Sequence, residues 1–366
     1  MRFVIEKNRL LQIINVVSKG MSSRSTLPVF SGIYIETTID GVIFQTTDLE
    51  ISIKHIAEAL IEQRGATVVP GKLFSDIIKS LPEAAITLEQ KDNTLLITCL
   101  DSSFSITTMD PVDYPSFPSI VTERSLQLPT KVVAEAVKKV YKAVSRDESR
   151  AVLTGIYLKA EEKTLQLVAT DSYRLAVSRF NLDEALGETL DLIVPGAIFE
   201  EVSRLANEEE KLLIGESENQ ILFKFGTTTF VSRKIEGSYP NYEQIIPQQR
   251  LVSVKLNTAE LYEAVRRAAV LAQTHGSVRF IVDPDGQLLE ITTQSQEVGS
   301  SAEKLNATVE GEGLEIGFNH QYIMDGLAAI DTDEVLFEAQ TSLKPGIFKT
   351  IDSDYYFYLT MPVRLD

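Results

Sequence analysis

The chain is poor in the residue types on which most catalytic and metal chemistry rests. Its 366 residues include one cysteine, three histidines and no tryptophan. A lone Cys99 cannot close an internal disulfide, so the fold is expected to stand without an oxidising compartment. Cys99 lies in the strand-like run Leu95-Leu96-Ile97-Thr98-Cys99-Leu100 and reads as a buried core thiol. His55, His275 and His320 are far apart, with no Cys-x-x-Cys or His-x-x-x-His pair, and no metal site is expected. Gly-x-Ser-x-Gly, Gly-x-x-x-x-Gly-Lys-Ser/Thr and Gly-x-Gly-x-x-Gly are all missing, which removes the nucleophile elbow and two phosphate-cradling loops. Asp283-Pro284-Asp285-Gly286 opens like a calcium loop but lacks the closing glutamate; between Ile281-Val282 and Leu288-Leu289 it reads as a hairpin turn. No apolar run approaches the ~18 residues of a membrane span. Met1-Arg2-Phe3-Val4-Ile5-Glu6 reaches a charge too early for a secretory signal. A cytoplasmic protein without membrane association, cofactor or active site is the expectation.

What the chain does have is repetition. The composition, 44% hydrophobic and 24% charged, is that of a globular protein, and the length suggests two or three domains. Gly32 in Phe30-Ser31-Gly32-Ile33-Tyr34 returns as Gly155 in Leu153-Thr154-Gly155-Ile156-Tyr157, 123 residues on. Thr46-Thr47-Asp48 returns as Ala169-Thr170-Asp171 at the same spacing, while Val69-Pro70-Gly71 and Tyr114-Pro115 return 125 residues later as Val194-Pro195-Gly196 and Tyr239-Pro240. A weaker third copy places Thr292-Thr293-Gln294 and Ile316 123 residues after Ala169-Thr170-Asp171 and Ile193. The spacing divides the chain into residues 1–122, 123–250 and 251–366, with boundaries near the Pro-rich stretch 111–118 and near Pro247. Each unit offers two amphipathic helices. The first has apolar faces such as Leu10/Ile14/Val17 and Leu261/Val265/Ala268/Ala272. The second has Phe74/Ile77/Ile78/Leu81, Ile198/Val202/Leu205 and Ile323/Leu327/Ile330. Alternating runs such as Phe223-Lys224-Phe225 supply antiparallel strands. The fold class is α+β: three repeated domains, each with two helices packed on antiparallel sheets.

Charge is uneven. There are 35 Lys+Arg against 52 Asp+Glu, a net charge of −17, and residues 251–366 alone carry 8 basic and 18 acidic side chains. Against this, the helix expected from about Thr130 to Ser145 buries Val133, Val137, Val140 and Val144 and turns Lys131, Lys138, Lys139, Lys142 and Arg146 outward. Arg9 and Lys19 occupy the matching face of the first unit, Arg266 and Arg267 that of the third, and Arg24 and Lys72 stand nearby in the first. Read alone, one such face is a solvated surface. Repeated on equivalent helices, it suits phosphates contacted without reading sequence.

Thr26-Leu27-Pro28, Thr47-Asp48-Leu49-Glu50, Val69-Pro70, Ala169-Thr170-Asp171-Ser172-Tyr173-Arg174-Leu175-Ala176-Val177 and the tail Met361-Pro362-Val363-Arg364-Leu365 closely resemble the bacterial sliding-clamp family, the beta subunits of DNA polymerase III. The resemblance covers the whole chain in register. It implies a ring-forming head-to-tail homodimer of six similar domains that encircles duplex DNA. It also implies tethering of the replicative polymerase, with the clamp loader and other clients as further partners. Carried over with the helix-face argument, the DNA-binding residues are Arg24, Lys72, Lys138, Lys139, Lys142, Arg146 and Arg150. The subunit boundary takes Phe104 and Ile106 against Val270 and Leu271; Val270 also points away from the apolar stripe of its helix. A client-peptide pocket takes Leu153, Thr170, Ser172, Tyr173, Arg174, Leu175, Pro240, Gln244 and Ile245, with Leu343, Leu359, Thr360, Met361, Pro362, Val363 and Arg364. Arg174 and Arg364 are expected to offer donors at its rim. Ser172 and Tyr173 stand where the family often has Gly and His, and Ala151 and Val152 where it can carry aromatic residues. Two other readings are a non-catalytic scaffold that binds acidic proteins through the basic helix face, and a hydrolase using Asp48, Asp171 or Asp101. Recurrence of Thr-Asp at equivalent positions favours turns or caps over catalysis.

Overall fold

A computed structural model of the chain describes residues 1–22, 27–206, 211–272, 276–295, 299–351 and 355–364. Arg24, Thr26, His275 and Leu365 lie outside the described residues. Six α-helices fall two to a repeat: α1 (Lys7–Val17), α2 (Gly71–Ser80), α3 (Thr130–Val140), α4 (Gly196–Leu205), α5 (Thr258–Ala269) and α6 (His320–Leu327). Two begin at asparagine caps. Asn257 accepts from Glu260 N at 3.0 Å, and Asn319 from Gln321 N and Tyr322 N at 2.9 and 3.3 Å. The α+β class is as expected. The expected apolar faces of α1, α2, α5 and α6 are buried, but the interior face of α4 differs from the expected one at two of three positions. Phe199, Val202 and Ala206 are interior there, in phase with Phe74, Ile77 and Leu81 of α2, whereas Ile198 and Leu205 are half-buried.

The strands pair antiparallel, and one rule recurs in the pairing. The fourth strand of one repeat pairs with the last strand of the next. Ile51–Ala57 pairs with Thr228–Arg233 over five residue pairs, from Ile51↔Ser232 to His55↔Thr228. Arg174–Asn181 pairs with Tyr356–Thr360, again over five, from Arg174↔Thr360 to Ser178↔Tyr356. The second seam lies inside a nine-stranded sheet, the first inside an eight-stranded one. Contacts accordingly divide the chain into two bodies, Met1–Thr130 with Arg204–Lys234, and Lys131–Ser203 with Ile235–Asp366. The second repeat is shared between them, because its last strand is built into the first body and its fourth strand into the second. Among the sheet-edge strands of the described residues are the two to which the rule assigns no partner, Ser102–Thr107, the last of the first repeat, and Gly299–Asn306, the fourth of the third.

His55 sits in the first seam, its Nδ1 2.8 Å from Thr228 Oγ1. Burial, reinforced by the charge of Arg9, lowers its pKa from 6.5 to about 4. Between those two values the unfolded chain takes up a proton that the folded chain refuses, so stability falls as pH drops from 6.5 towards 4. The loss should be on the order of 2–3 kcal/mol. Urea unfolding across that window should show a shallower pH slope in His55→Gln.

Candidate functional site

The basic row of the second repeat is real but shorter than its helical period suggests. α3 ends at Val140, and a tight 3-10 turn, Tyr141–Ala143, follows. Lys131, Lys138, Lys142, Arg146 and Arg150 are exposed. Lys139 is not: it is 7% exposed, its ammonium 3.1 Å from Asp331 and 3.4 Å from Glu135, and it lies between the rings of Phe180 and Tyr356, 5.9 and 5.8 Å from their centroids. Around the helix it is only about 60° from Ala136, at the border of the buried stripe. Elements from the third repeat close over that border, so Lys139 braces the fold and presents no donor to a phosphate. In the other repeats Lys72 is exposed on the first turn of α2, while the cations on the matching first helices face carboxylates. Arg9 lies 3.5 Å from Glu58, Arg266 2.5 Å from Glu263 and Arg267 2.7 Å from Glu303.

The residues expected to line a pocket converge in the second body. Leu175 and Leu359 are cross-strand partners in the second seam and are fully buried with Val168, Val177, Tyr242 and Ile347; Tyr157, Tyr239, Ile246 and Phe357 pack against that cluster. Leu153, Thr170 and Thr360 are also buried. Of the other expected residues, Tyr173, Ile245, Leu343 and Met361 expose 61, 48, 75 and 39% of their surface, and Pro240, Gln244 and Arg364 are exposed as well. The tail leaves the ladder after Thr360: Met361 N donates to Tyr173 O at 2.8 Å and Val363 N to Gly317 O at 2.9 Å. It is therefore held by two separated backbone bonds beyond a central strand, and is not an edge strand of the third repeat.

The turn carrying Tyr173 repeats a motif of the first repeat. Thr170 Oγ1 donates to Arg174 O and accepts from Ser172 N, while Asp171 Oδ1 accepts from Tyr173 N and Arg174 N at 2.9 and 3.0 Å. Thr47 and Asp48 make the same bonds around Leu49. Asp48 and Asp171 are thus turn formers. Leu49 and Ser172 take left-handed φ values of 76° and 80°, which side chains other than glycine disfavour.

Arg174 departs from its expected place at the rim. Its guanidinium bonds Asp171 at 2.9 Å, Asp325 on α6 at 2.6 Å and the Tyr358 hydroxyl at 3.3 Å, and it stacks 4.3 Å from the centre of the Tyr322 ring. Burial alone would lower its pKa; Tyr358, Asp325 and Asp171 reverse that, and the net shift is upward. With its side chain 11% exposed, Arg174 is a strut that fixes the turn to α6. Asp325 and Tyr322, its partners from 150 residues away, carry no signal in a single sequence. Of the boundary residues, Phe104 and Val270 are exposed and Leu271 is half-buried, but Ile106, on the same strand face as Phe104, is buried in its own sheet opposite Leu95.

Replacing Arg174 by Met would leave Asp171 and Asp325, each 15% exposed in its side chain, enclosed without their shared cation. Denaturant unfolding should show a loss of about 3–5 kcal/mol.

Comparison with known proteins follows the repeats. Residues 1–118 match the N-terminal domain of the DNA polymerase III beta subunit, residues 127–241 its central domain and residues 243–364 its C-terminal domain. The beta sliding clamp of Staphylococcus epidermidis is 35% identical over 375 residues, covering 100% of this chain and 99% of that protein. The crystal structure of the Bacillus subtilis DNA polymerase sliding clamp superposes with a TM-score of 0.94 at 31% identity, and that of the Pseudomonas aeruginosa sliding clamp bound to griselimycin with 0.93 at 27%, both over 100% of each chain. With this agreement along its entire length, the chain belongs to the DNA polymerase III beta subunit family, the bacterial DNA sliding clamps.

Proposed function

We infer that the chain works as a head-to-tail homodimer that encloses duplex DNA and holds polymerases beside it, catalysing no reaction itself. The observation that carries the assembly is the pair of strands left over by the pairing rule. The second and third repeats give their last strands to the repeat before, so among the sheet-edge strands Ser102–Thr107 of one copy and Gly299–Asn306 of another are the pair that the same rule would join. Joining them is heterologous, and two such joints between two copies close a ring. Exposed Phe104 and Val270, with half-buried Leu271, supply apolar area for the joint. Leu271→Lys should therefore yield monomers by light scattering; an undisturbed dimer would place the joint elsewhere.

On this reading Lys72, Lys138, Lys142, Arg146 and Arg150 face the phosphates, with Arg24 the remaining candidate. Charge-only contacts let the protein slide, and they weaken steeply with salt. The acidic remainder of a chain of net charge −17 repels DNA from other surfaces. Lys138→Glu/Lys142→Glu should shorten retention on closed circular DNA at moderate salt. Lys139→Glu should act mainly on thermal stability.

The pocket is the proposed site for a short apolar segment of a client. Its floor is fixed by the second seam, and its rim of Tyr173, Ile245, Leu343 and Met361 is adaptable. Tethering raises the client's effective concentration at the template, which is how a protein without catalytic groups confers processivity. Deleting residues 362–366 removes the Val363 bond but leaves the five-pair seam intact. The truncated chain should lose peptide and polymerase binding while still dimerising and encircling DNA. Binding of acidic proteins through the basic face is less favoured, since the sliding-clamp relatives already account for that face.

A further inference from the structure

We propose that Arg150 is a positioning residue of the client pocket: by holding Ser172 it fixes the turn from which Tyr173 and, through it, the C-terminal tail are hung. The proposal rests on the pocket reading above. Arg150 Nη1 donates to Ser172 Oγ at 2.7 Å and Nη2 to Asp171 O at 3.4 Å, while Nε donates to Asp147 Oδ2 at 3.1 Å. Asp147 is itself oriented by Ser149, whose N and Oγ donate to its other oxygen at 3.0 and 2.6 Å. The backbone at Arg150, φ −117° and ψ 65°, breaks the run of 3-10 turns around it. The guanidinium thus reaches the turn from a braced position.

Two features make this contact a latch for the turn. First, Ser172 stands at φ 80°, where a residue with a side chain is disfavoured. What the hydroxyl adds there is an acceptor for Arg150, which glycine would lack. Second, the contact belongs to one repeat. The positions equivalent to Arg150 and Ser172 in the first repeat are Leu27 and Leu49, 123 residues earlier, and they offer neither a guanidinium nor a hydroxyl. The turn itself is the same in both. The latch is added where the next residue, Tyr173, accepts a bond from Met361 N and sits beside the apolar floor. Arg150, Ser172, Tyr173 and Met361 thereby form one line of contacts, which ends on the tail that a client must touch.

The test uses the full-length protein and a fluorescent synthetic peptide copying the clamp-binding segment of the host's replicative polymerase. Arg150→Gln and Ser172→Gly should each weaken peptide binding roughly three- to ten-fold, and the double variant no further than either alone, as expected for partners in one contact. Ser172→Gly keeps the melting temperature or raises it, because glycine accepts the left-handed backbone freely, so a lost affinity cannot be a lost fold. Met361→Asp serves as the pocket control and should abolish binding. If both latch variants bind like the wild type while Met361→Asp does not bind, the latch is wrong and the pocket stands. If Arg150→Gln changes only the salt dependence of DNA retention, Arg150 is a phosphate contact alone and the proposal fails. If Met361→Asp also keeps full affinity, the pocket reading falls and this proposal with it.

Discussion

Ten residue pairs of backbone ladder hold successive repeats to one another, five in each seam. Each seam continues a sheet across a repeat boundary, so the apolar residues of its strands are covered by side chains that arrive from the next repeat. The floor under Tyr173 shows this well. Leu175 comes from the second repeat and Leu359 from the third, and each completes the burial of the other. Orientation of the turn and departure of the tail both follow from that one ladder. Side chains then reinforce it. Arg174 ties the turn to α6, and Lys139 ties α3 to Asp331.

Electrostatics divides the three repeats by task. The third, with 18 acidic residues against 8 basic, neutralises the cations on its own first helix with Glu263 and Glu303. The second leaves Lys138, Lys142 and Arg146 exposed at the end of the corresponding helix. Exposed ion pairs like those on α5 stabilise little. Their effect is on the local potential, which they bring close to neutral. The positive face is therefore concentrated where α3 ends, and the distribution matters more than the total.

Much of this could be read from the sequence, and the part that could not has one cause. Period and repetition revealed the α+β class and three copies of one plan, while the residues around Leu175 and Leu359 were legible only through the resemblance to the clamp family. Single-sequence reasoning failed wherever a residue's surroundings come from a distant stretch. Lys139 and Lys138 are indistinguishable by charge, and only the approach of Asp331 and Tyr356 makes the first a brace. Arg174 looked like a rim donor because Asp325 and Tyr358 were out of sight. Ile106 matches a boundary position and shares its strand face with Phe104, yet it is buried within its own sheet opposite Leu95. Ile198 is half-buried because the interior face of α4 runs through Phe199, Val202 and Ala206, in the same phase as Phe74, Ile77 and Leu81 of α2.

The seams also set an order in time. The strand at 174–178 has its partner at 356–360, some 180 residues further along. At ribosomal speeds of about 5–20 residues per second, that partner emerges roughly 10–40 s after the strand it must cover. Throughout that interval the nascent second repeat carries an open apolar edge that its own residues cannot close, in a form suited to pairing with any passing strand. A stalled or truncated chain therefore fails at the most exposed stage of its synthesis, and the burden on chaperones should be heaviest while the third repeat is still being translated.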